Sequence, residues 1–419
     1  MNSKALQTSS YIIIYLIFSI GSYYLFGTIL PSRSSIISPN GNNKVATTTQ
    51  TPKKVGIIDF AGPKTEICPL NGSLHTKEEK NIWETRRPLI VMIENHSDAR
   101  PQSGLQNADI VYEAVAEGGI TRFMAVYYCD VLKGSPNKYD VGPVRSARTY
   151  FLDLASEYAD YPLYTHVGGA NCSAVKDPVT GRQIGACTTN KKALAIEQIS
   201  DYGWNNQGTW GDLSQFSLPY KVCRREPERI APDSAMEHTM YCNTTELWNT
   251  AASRGLTNMT EIKKTAWNKN FSSWLFKSTD AANTAATPKK ISFDFWAGYK
   301  DYSVSWEYDA TKNEYLRSNG GKVHIDLNTG EQLHFKNLVI QFTKESRSID
   351  EHLHNLYEVI GTGKGVLFQN GKKIEITWSK TTRTARTVFK DASGKEVNFV
   401  PGQIFVEILP IGSSINYED

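Results

Sequence analysis

The sequence predicts an α/β or α+β N-terminal domain, a smaller and mainly β C-terminal domain, and one transmembrane helix ahead of both. Three observations predict this. Strand-like apolar runs alternate with helix-like periodicity between residues 86 and 255. From Ile291 onward, short strand-like runs are divided by Asn-Gly, Thr-Gly and Ser-Gly turns. Residues 11–30 carry no charge at all.

That uncharged stretch, "YIIIYLIFSIGSYYLFGTIL", is long enough to cross a hydrocarbon core of about 30 Å as a helix. Its exit, "PSRSSIISPN", offers no convincing cleavage site, so residues 1–30 read as an uncleaved signal anchor. Lys4 and the terminal amine favour a cytoplasmic N-terminus. A cleaved secretory signal is the alternative, and both readings put the rest of the chain outside the cytoplasm. The expected location is a single-pass protein of the cell membrane. No cysteine precedes Cys68, so no thiol lies near the membrane for a lipid anchor.

Residues 31–85 are rich in Ser, Thr and Pro and read as a tether. The N-terminal domain is expected over 86–255, a connector over 256–290 and the β domain over 291–412. Of the 419 residues, 40% are hydrophobic and 21% charged, which is globular rather than disordered. A formal net charge of +3 gives no field that argues for nucleic acid. Six cysteines allow fifteen pairings. Local bridges Cys172–Cys187 and Cys223–Cys242, leaving Cys68–Cys129, suit an exported chain; buried free thiols are the alternative.

Within the N-terminal domain, "PLIVMIEN" (88–95) is a strand-length run. "ADIVYEAVAEGGITRFMAVYYCD" (108–130) is a hairpin about Gly118-Gly119. Pairing Glu117 with Ile120 and Val115 with Arg122 puts Glu113, Glu117 and Arg122 on one face. The trio is an ion-pair network or the floor of a polar site. "VGPVRSARTYFLDLASEYA" reads as a helix whose apolar stripe holds Val144, Ala147, Phe151, Leu154 and Tyr158, with Ser146, Thr149, Asp153 and Glu157 opposite. Arg145 and Arg148 fall at the stripe's border. Cations at a helix start oppose the dipole, so an external anion or a carboxylate such as Glu113 or Glu117 is expected to neutralise them. "LYTHVGG" (163–169) is a strand whose end presents His166, and helices follow at "KALAIEQIS" and "TTELWNTAASRG". The loop after the first strand offers Asn95, His96, Arg100 and Gln102.

Several chemistries are missing. There is no P-loop, no G-x-S-x-G and no H-E-x-x-H. His352-x-His354 has no evident third ligand, and no metal or cofactor is expected. "GTGKG" (361–365) sits among strands, away from any helix start.

The segments "RPLIVMIENHSDARPQSGLQNADIVYEAVAEGGITRFMAVYY", "VGPVRSARTYFLDLA" and "HVGG" resemble the YerB-like family of bacterial envelope proteins. That family has two domains of unknown function and consists mostly of lipoproteins. "EHTMYCNTTELW" resembles its His-containing segment and adds His238 to the candidates. "YLRSNGGKVHIDLNTGEQLHFKNLVIQF" and "IGTGKGVLFQNGKKIEITW" resemble its second domain. The likeness spans roughly 86–410. It departs at the N-terminus, where an anchor replaces the usual lipidated cysteine, and at "YKVCRRE". It implies an envelope location and no settled reaction.

Three functional readings follow. The first is a binding protein whose pocket gathers Asn95, Arg100, Glu113, Glu117, Arg122, Arg145, Ser146, Arg148, His166 and His238 around an anionic cell-wall or other envelope ligand. The second is an enzyme acting on wall polymer, with Glu117 or His166 as acid or base. The third is a structural module that docks an envelope partner through the β domain.

Overall fold

A mixed ten-stranded sheet runs through both halves of the chain in the computed structural model, which describes residues 60, 62–133, 139–172, 179–180, 186–231, 233–277 and 287–419. The expected membrane segment, 11–30, lies outside the described residues. Among those described, no helix is long and apolar enough to cross a membrane.

In chain order the sheet's strands are β1 (Leu89–Glu94), β2 (Ile110–Glu117), β3 (Ile120–Tyr127), β4 (Leu163–His166) and β5 (Asp212–Ser214) from the N-terminal half. The C-terminal half adds β6 (Asn337–Thr343), β7 (Gly361–Gln369), β8 (Lys372–Lys380), β9 (Val388–Asp391) and β10 (Ile404–Pro410). Their spatial order is β9-β8-β7-β6-β10-β2-β3-β1-β4-β5. The last of these strands, β10, is therefore inserted between the halves, parallel to β6 on one side and to β2 on the other. All described residues belong to one compact unit. Strands β1 and β10 are buried along their whole length, which is why they read as unbroken apolar runs.

A smaller sheet is built from 290–294, 303–309, 314–319, 322–323, 334–335 and 416–418. Its 303–309 strand alternates buried and half-exposed residues, so one face packs inward through Val304, Trp306 and Tyr308. Helices are few and short among the described residues: α1 (Lys77–Trp83), α2 (Thr149–Ala155), α3 (Ala195–Asp201) and α4 (Thr244–Ser253). The chain is mostly β, with less helix than an alternating α/β domain carries.

Three local expectations change. Residues 66–83, assigned to the tether by composition, contain a strand pair and α1, which is closed by a capping box between Thr76 and Glu79. Cys68, Leu70 and Trp83 there are buried.

The long helix expected over 141–159 is only α2. Residues 142–148 form an extended strap. Arg145 N–H donates to Met92 O at 2.9 Å, and Val144 and Ala147 bridge to Ile93 and Gly169. Partners from distant strands claim these backbone groups, so helical periodicity has nothing to act on. Arg148 is only the residue before the helix, and Arg145 lies outside it. Glu157, expected on the solvent face, is buried and receives Arg386 Nη1 at 3.0 Å.

The hairpin forms where expected, with both turn glycines at positive φ as its two-residue turn requires. A bulge between Val115 and Glu117, however, pairs Ala114, not Val115, with Arg122. Glu117 still faces Ile120 and shares the face of Arg122, as expected, whereas the extra residue puts Glu113 on the other face. The cysteines pair as Cys68–Cys129, Cys172–Cys187 and Cys223–Cys242, the last directly across two paired strands.

Candidate functional site

The ten residues expected to share a pocket fall into four places. The first lies under the strap. Glu117 receives Arg122 Nη2 at 2.8 Å and both Nε (3.1 Å) and Nη2 of Arg148. Arg122 also donates to the Ser146 carbonyl at 3.1 Å, so Ser146 contributes its backbone. Burial raises the Glu117 pKa, but the two guanidinium groups outweigh it and hold the carboxyl at about 2. Such a group is a fixed counter-ion and a poor acid or base near neutral pH.

The second place is the end of β1. Glu94 receives Arg145 Nε at 3.1 Å on one oxygen and faces His238 Nδ1 at 3.0 Å with the other. His238 stacks on His96, with ring centroids 4.7 Å apart and planes 13° from parallel. Arg145 is 27% exposed, and its two Nη atoms have no partner among the described residues. Arg148, by contrast, is 7% exposed and shares Glu117 with Arg122. Arg145 is thus the candidate arginine whose bidentate edge stays open.

The third place is the seam between the halves. Asn95 Oδ1 accepts from Arg100 Nε (3.0 Å), Gln102 Nε2 (3.0 Å) and Asn319 Nδ2 (2.8 Å). Its amide nitrogen donates to Glu113 Oε1 at 3.0 Å. Glu113 is also bound by Arg317, a fully buried residue of the smaller sheet. His324 accepts from Arg317 Nη1 at 2.5 Å and contacts Gln102 Oε1 at 2.8 Å. Burial, with Arg317 and Arg100 adding to it, pushes the His324 pKa well down, so it sits there neutral. Arg100 additionally lies over the Tyr302 ring at 5.2 Å. These groups hold the halves together.

The fourth is His166 at the end of β4. It contacts Asp212 Oδ1 at 2.8 Å and the Gly168 carbonyl at 2.5 Å, so both ring nitrogens are engaged.

Sequence reasoning missed Glu94, Arg317 and Glu407. Each is a charge inside an apolar or strand-like run ("IVMIEN", "YLRSNG", "IFVEILP"), and that was the available signal. It also missed a buried chain on the folded part of the tether. Ser73 Oγ lies 2.8 Å from His75 Nε2, and His75 Nδ1 lies 2.9 Å from Glu79 Oε1. This has the outline of a Ser–His–acid relay, but Asp130 Oδ1 also faces His75 Nε2, at 3.1 Å. Burial lowers the His75 pKa, and the two carboxylates more than reverse that, giving a net rise. A histidine drawn toward its charged form between two carboxylates is a poor acceptor for the serine proton. The chain pins α1 to the core.

Two hollows lie away from all four places. One, of about 670 Å³, is lined by Lys290, Asp294, Lys300, Ser303, Arg347 and Ser414 of the C-terminal half. The other, of about 480 Å³, is bordered by Ser73, Asp130, Lys133, Glu331 and His334. The lysines and the arginine of the first are each paired with a carboxylate.

Comparison with known proteins agrees with this two-part organisation. Residues 70–257 match the family described as "Protein of unknown function (DUF3048) N-terminal domain", and residues 291–406 match its C-terminal domain. The chain is 29% identical over 349 residues to the Bacillus subtilis (strain 168) protein named "Putative lipoprotein YerB", covering 82% of this chain and 86% of that one. A crystal structure of YerB from Bacillus subtilis superposes with a TM-score of 0.60 at 26% identity, covering 84% of this chain and all of that one.

Proposed function

The chain belongs to the two-domain DUF3048 family, and from that premise we propose an envelope-associated, extracytoplasmic protein that binds an anionic wall component beside Arg145. Residues 11–30 would hold it to the membrane in place of a lipid. Similarity to a protein named as a lipoprotein supports the location, and three disulfides suit an oxidising compartment.

One observation carries the binding reading. The Arg145 side chain is tied through Nε, and its Nη1 and Nη2 have no hydrogen-bond partner among the described residues on a side chain that is 27% exposed. Guanidinium edges in that state suit bidentate contact with phosphate or carboxylate. The binding group is therefore one arginine beside two histidines, with Arg122 and Arg148 acting as its buried support.

The test is retention of the detergent-solubilised full chain on purified peptidoglycan and on a phosphate-containing wall polymer. Arg145→Ala should weaken retention at least about tenfold, the loss of one charge-assisted bidentate contact. Unchanged retention in a variant that unfolds at the normal temperature would defeat the reading.

A further inference from the structure

We propose that His96, Asp98 and His238 form a binding site for a divalent transition-metal ion. The site goes beyond the anion reading and stands without it.

Two short turns build it. β1 ends at Glu94, and the next turn, Ser97–Ala99, begins at His96 and contains Asp98. The turn Met236–His238 brings in His238, which lies 144 positions from Glu94 in sequence. One ligand atom from each of His96, Asp98 and His238 lies within 4.8 Å of the others.

The protonation pattern suits a metal. His238 Nδ1 faces Glu94 Oε2 at 3.0 Å, and a carboxylate there accepts the ring N–H, which fixes the proton on Nδ1. That leaves the Nε2 lone pair free, with a carboxylate behind the ring as metal-binding histidines commonly have. His96 Nδ1 accepts the Asp98 N–H at 3.2 Å, so its lone pair lies on that atom, 3.7 Å from Asp98 Oδ2, and an ion bound there takes the place of that turn hydrogen bond.

Ligand atoms on one tetrahedral ion are about 3.4 Å apart for bonds of roughly 2.1 Å. The site must therefore close by up to about 1.4 Å, with the His96 ring rotating out of its parallel stack on His238 to aim its lone pair at the same ion. Asp98 is 70% exposed and His96 30%, so both can move, while buried His238 stays fixed.

Two imidazoles with one carboxylate favour zinc, cobalt, nickel or copper over calcium or magnesium. Three protein ligands leave a fourth position for water or another donor. Glu94 already balances Arg145, so the added positive charge meets Asp98 rather than a bare guanidinium.

The experiment titrates the full chain, stripped with chelator, with Co²⁺ followed by visible absorption and with Zn²⁺ followed by calorimetry. One equivalent should bind, with the intense visible bands of four-coordinate Co²⁺. His96→Ala and His238→Ala should each weaken binding at least about 100-fold, and Glu94→Gln about 10–100-fold, the usual effect of removing an outer partner. His96 is half-exposed, so His96→Ala should unfold at the wild-type temperature and keep the test interpretable if His238→Ala does not fold. Absence of saturable binding to the wild type would overturn the site. So would wild-type affinity in both His96→Ala and Asp98→Asn.

Discussion

Glu113 and Glu407 stand directly opposite each other across the parallel pair β2–β10, and one buried guanidinium, Arg317, serves both. Burial and the neighbouring Glu113 push the Glu407 carboxyl well above its ordinary range, against the pull of Arg317. That direction favours the protonated form of Glu407 beside Glu113 and Arg317. Trp306 Nε1 donates to Glu407 at 3.0 Å and completes it.

Arg317→Met should strand a buried carboxylate and cost about 3–5 kcal/mol in urea unfolding. Glu407→Gln should cost less than about 1 kcal/mol, because the amide mimics the neutral form that the raised pKa favours. Equal penalties from the two variants would mean that Glu407 is ionised, and this account of the seam would be wrong.

Glu117 is held at about 2 against an ordinary 4.5, so it is a depressed carboxylate. Its contribution to stability is present above the unfolded value and is lost as pH falls from about 4.5 toward 2. Glu117→Gln should destabilise by about 3–5 kcal/mol at pH 7, since Arg122 and Arg148 lose the carboxylate that pairs with both. It should also flatten the acid limb of the stability curve; an unchanged limb would contradict the assignment.

His75 has the opposite sign. Its pKa is raised, so its contribution is full below about 6.5 and is lost as pH rises through the folded value. Burial and Asp130 also lift nearby Asp109 to about 7, and that contribution is likewise lost on going from acid to neutral pH. Stability should therefore decline from about pH 4 to about pH 7 through Asp109, and above about pH 6.5 through His75. His75→Gln should cost about 3–5 kcal/mol at pH 6 and remove the part of the decline above about pH 6.5, leaving the Asp109 part. Denaturation midpoints at pH 5, pH 6 and pH 8 decide it.

The disulfides should rank by the loop each closes. Cys68–Cys129 spans 61 positions and Cys172–Cys187 only 15. Replacing the first pair with serine should cost about 4 kcal/mol and the second about 3 kcal/mol, from the loop entropy returned to the unfolded chain. A larger penalty for the shorter loop would point to native-state packing instead.

Local pattern carried much of the architecture. The unbroken apolar run of β1, the Gly-Gly turn between β2 and β3, and the Asn-Gly turn between β7 and β8 are encoded within a few residues each. α4 is similarly local, since Asn243 caps its start and Gly255 follows its end. Strap 142–148 was the main failure. Its apolar spacing satisfies a helix, but its backbone groups are taken by residues near Met92, Gly168 and Met240. No local periodicity reports such long-range hydrogen bonds.

The candidate site divides in the same way. Arg145, Arg148 and His238 were visible as charged or titratable groups in specific segments. The hairpin reading also offered Glu117 as the partner of Arg122 and of a strap arginine, and it pairs with Arg122 and Arg148. Glu94 was not assignable, because it reaches Arg145 only through the strap's extended path, and the bulge that takes Glu113 off the face of Arg122 left no local signal.

The sequence by itself determined the strands, the turns, the charges available and the family. Only the tertiary structure decided which charges are neutralised and which stay open. Side-chain direction and backbone propensity are local properties, whereas ion pairing depends on which distant strands share a sheet. Here that was settled by the insertion of β10 at the seam and the docking of the strap on β1.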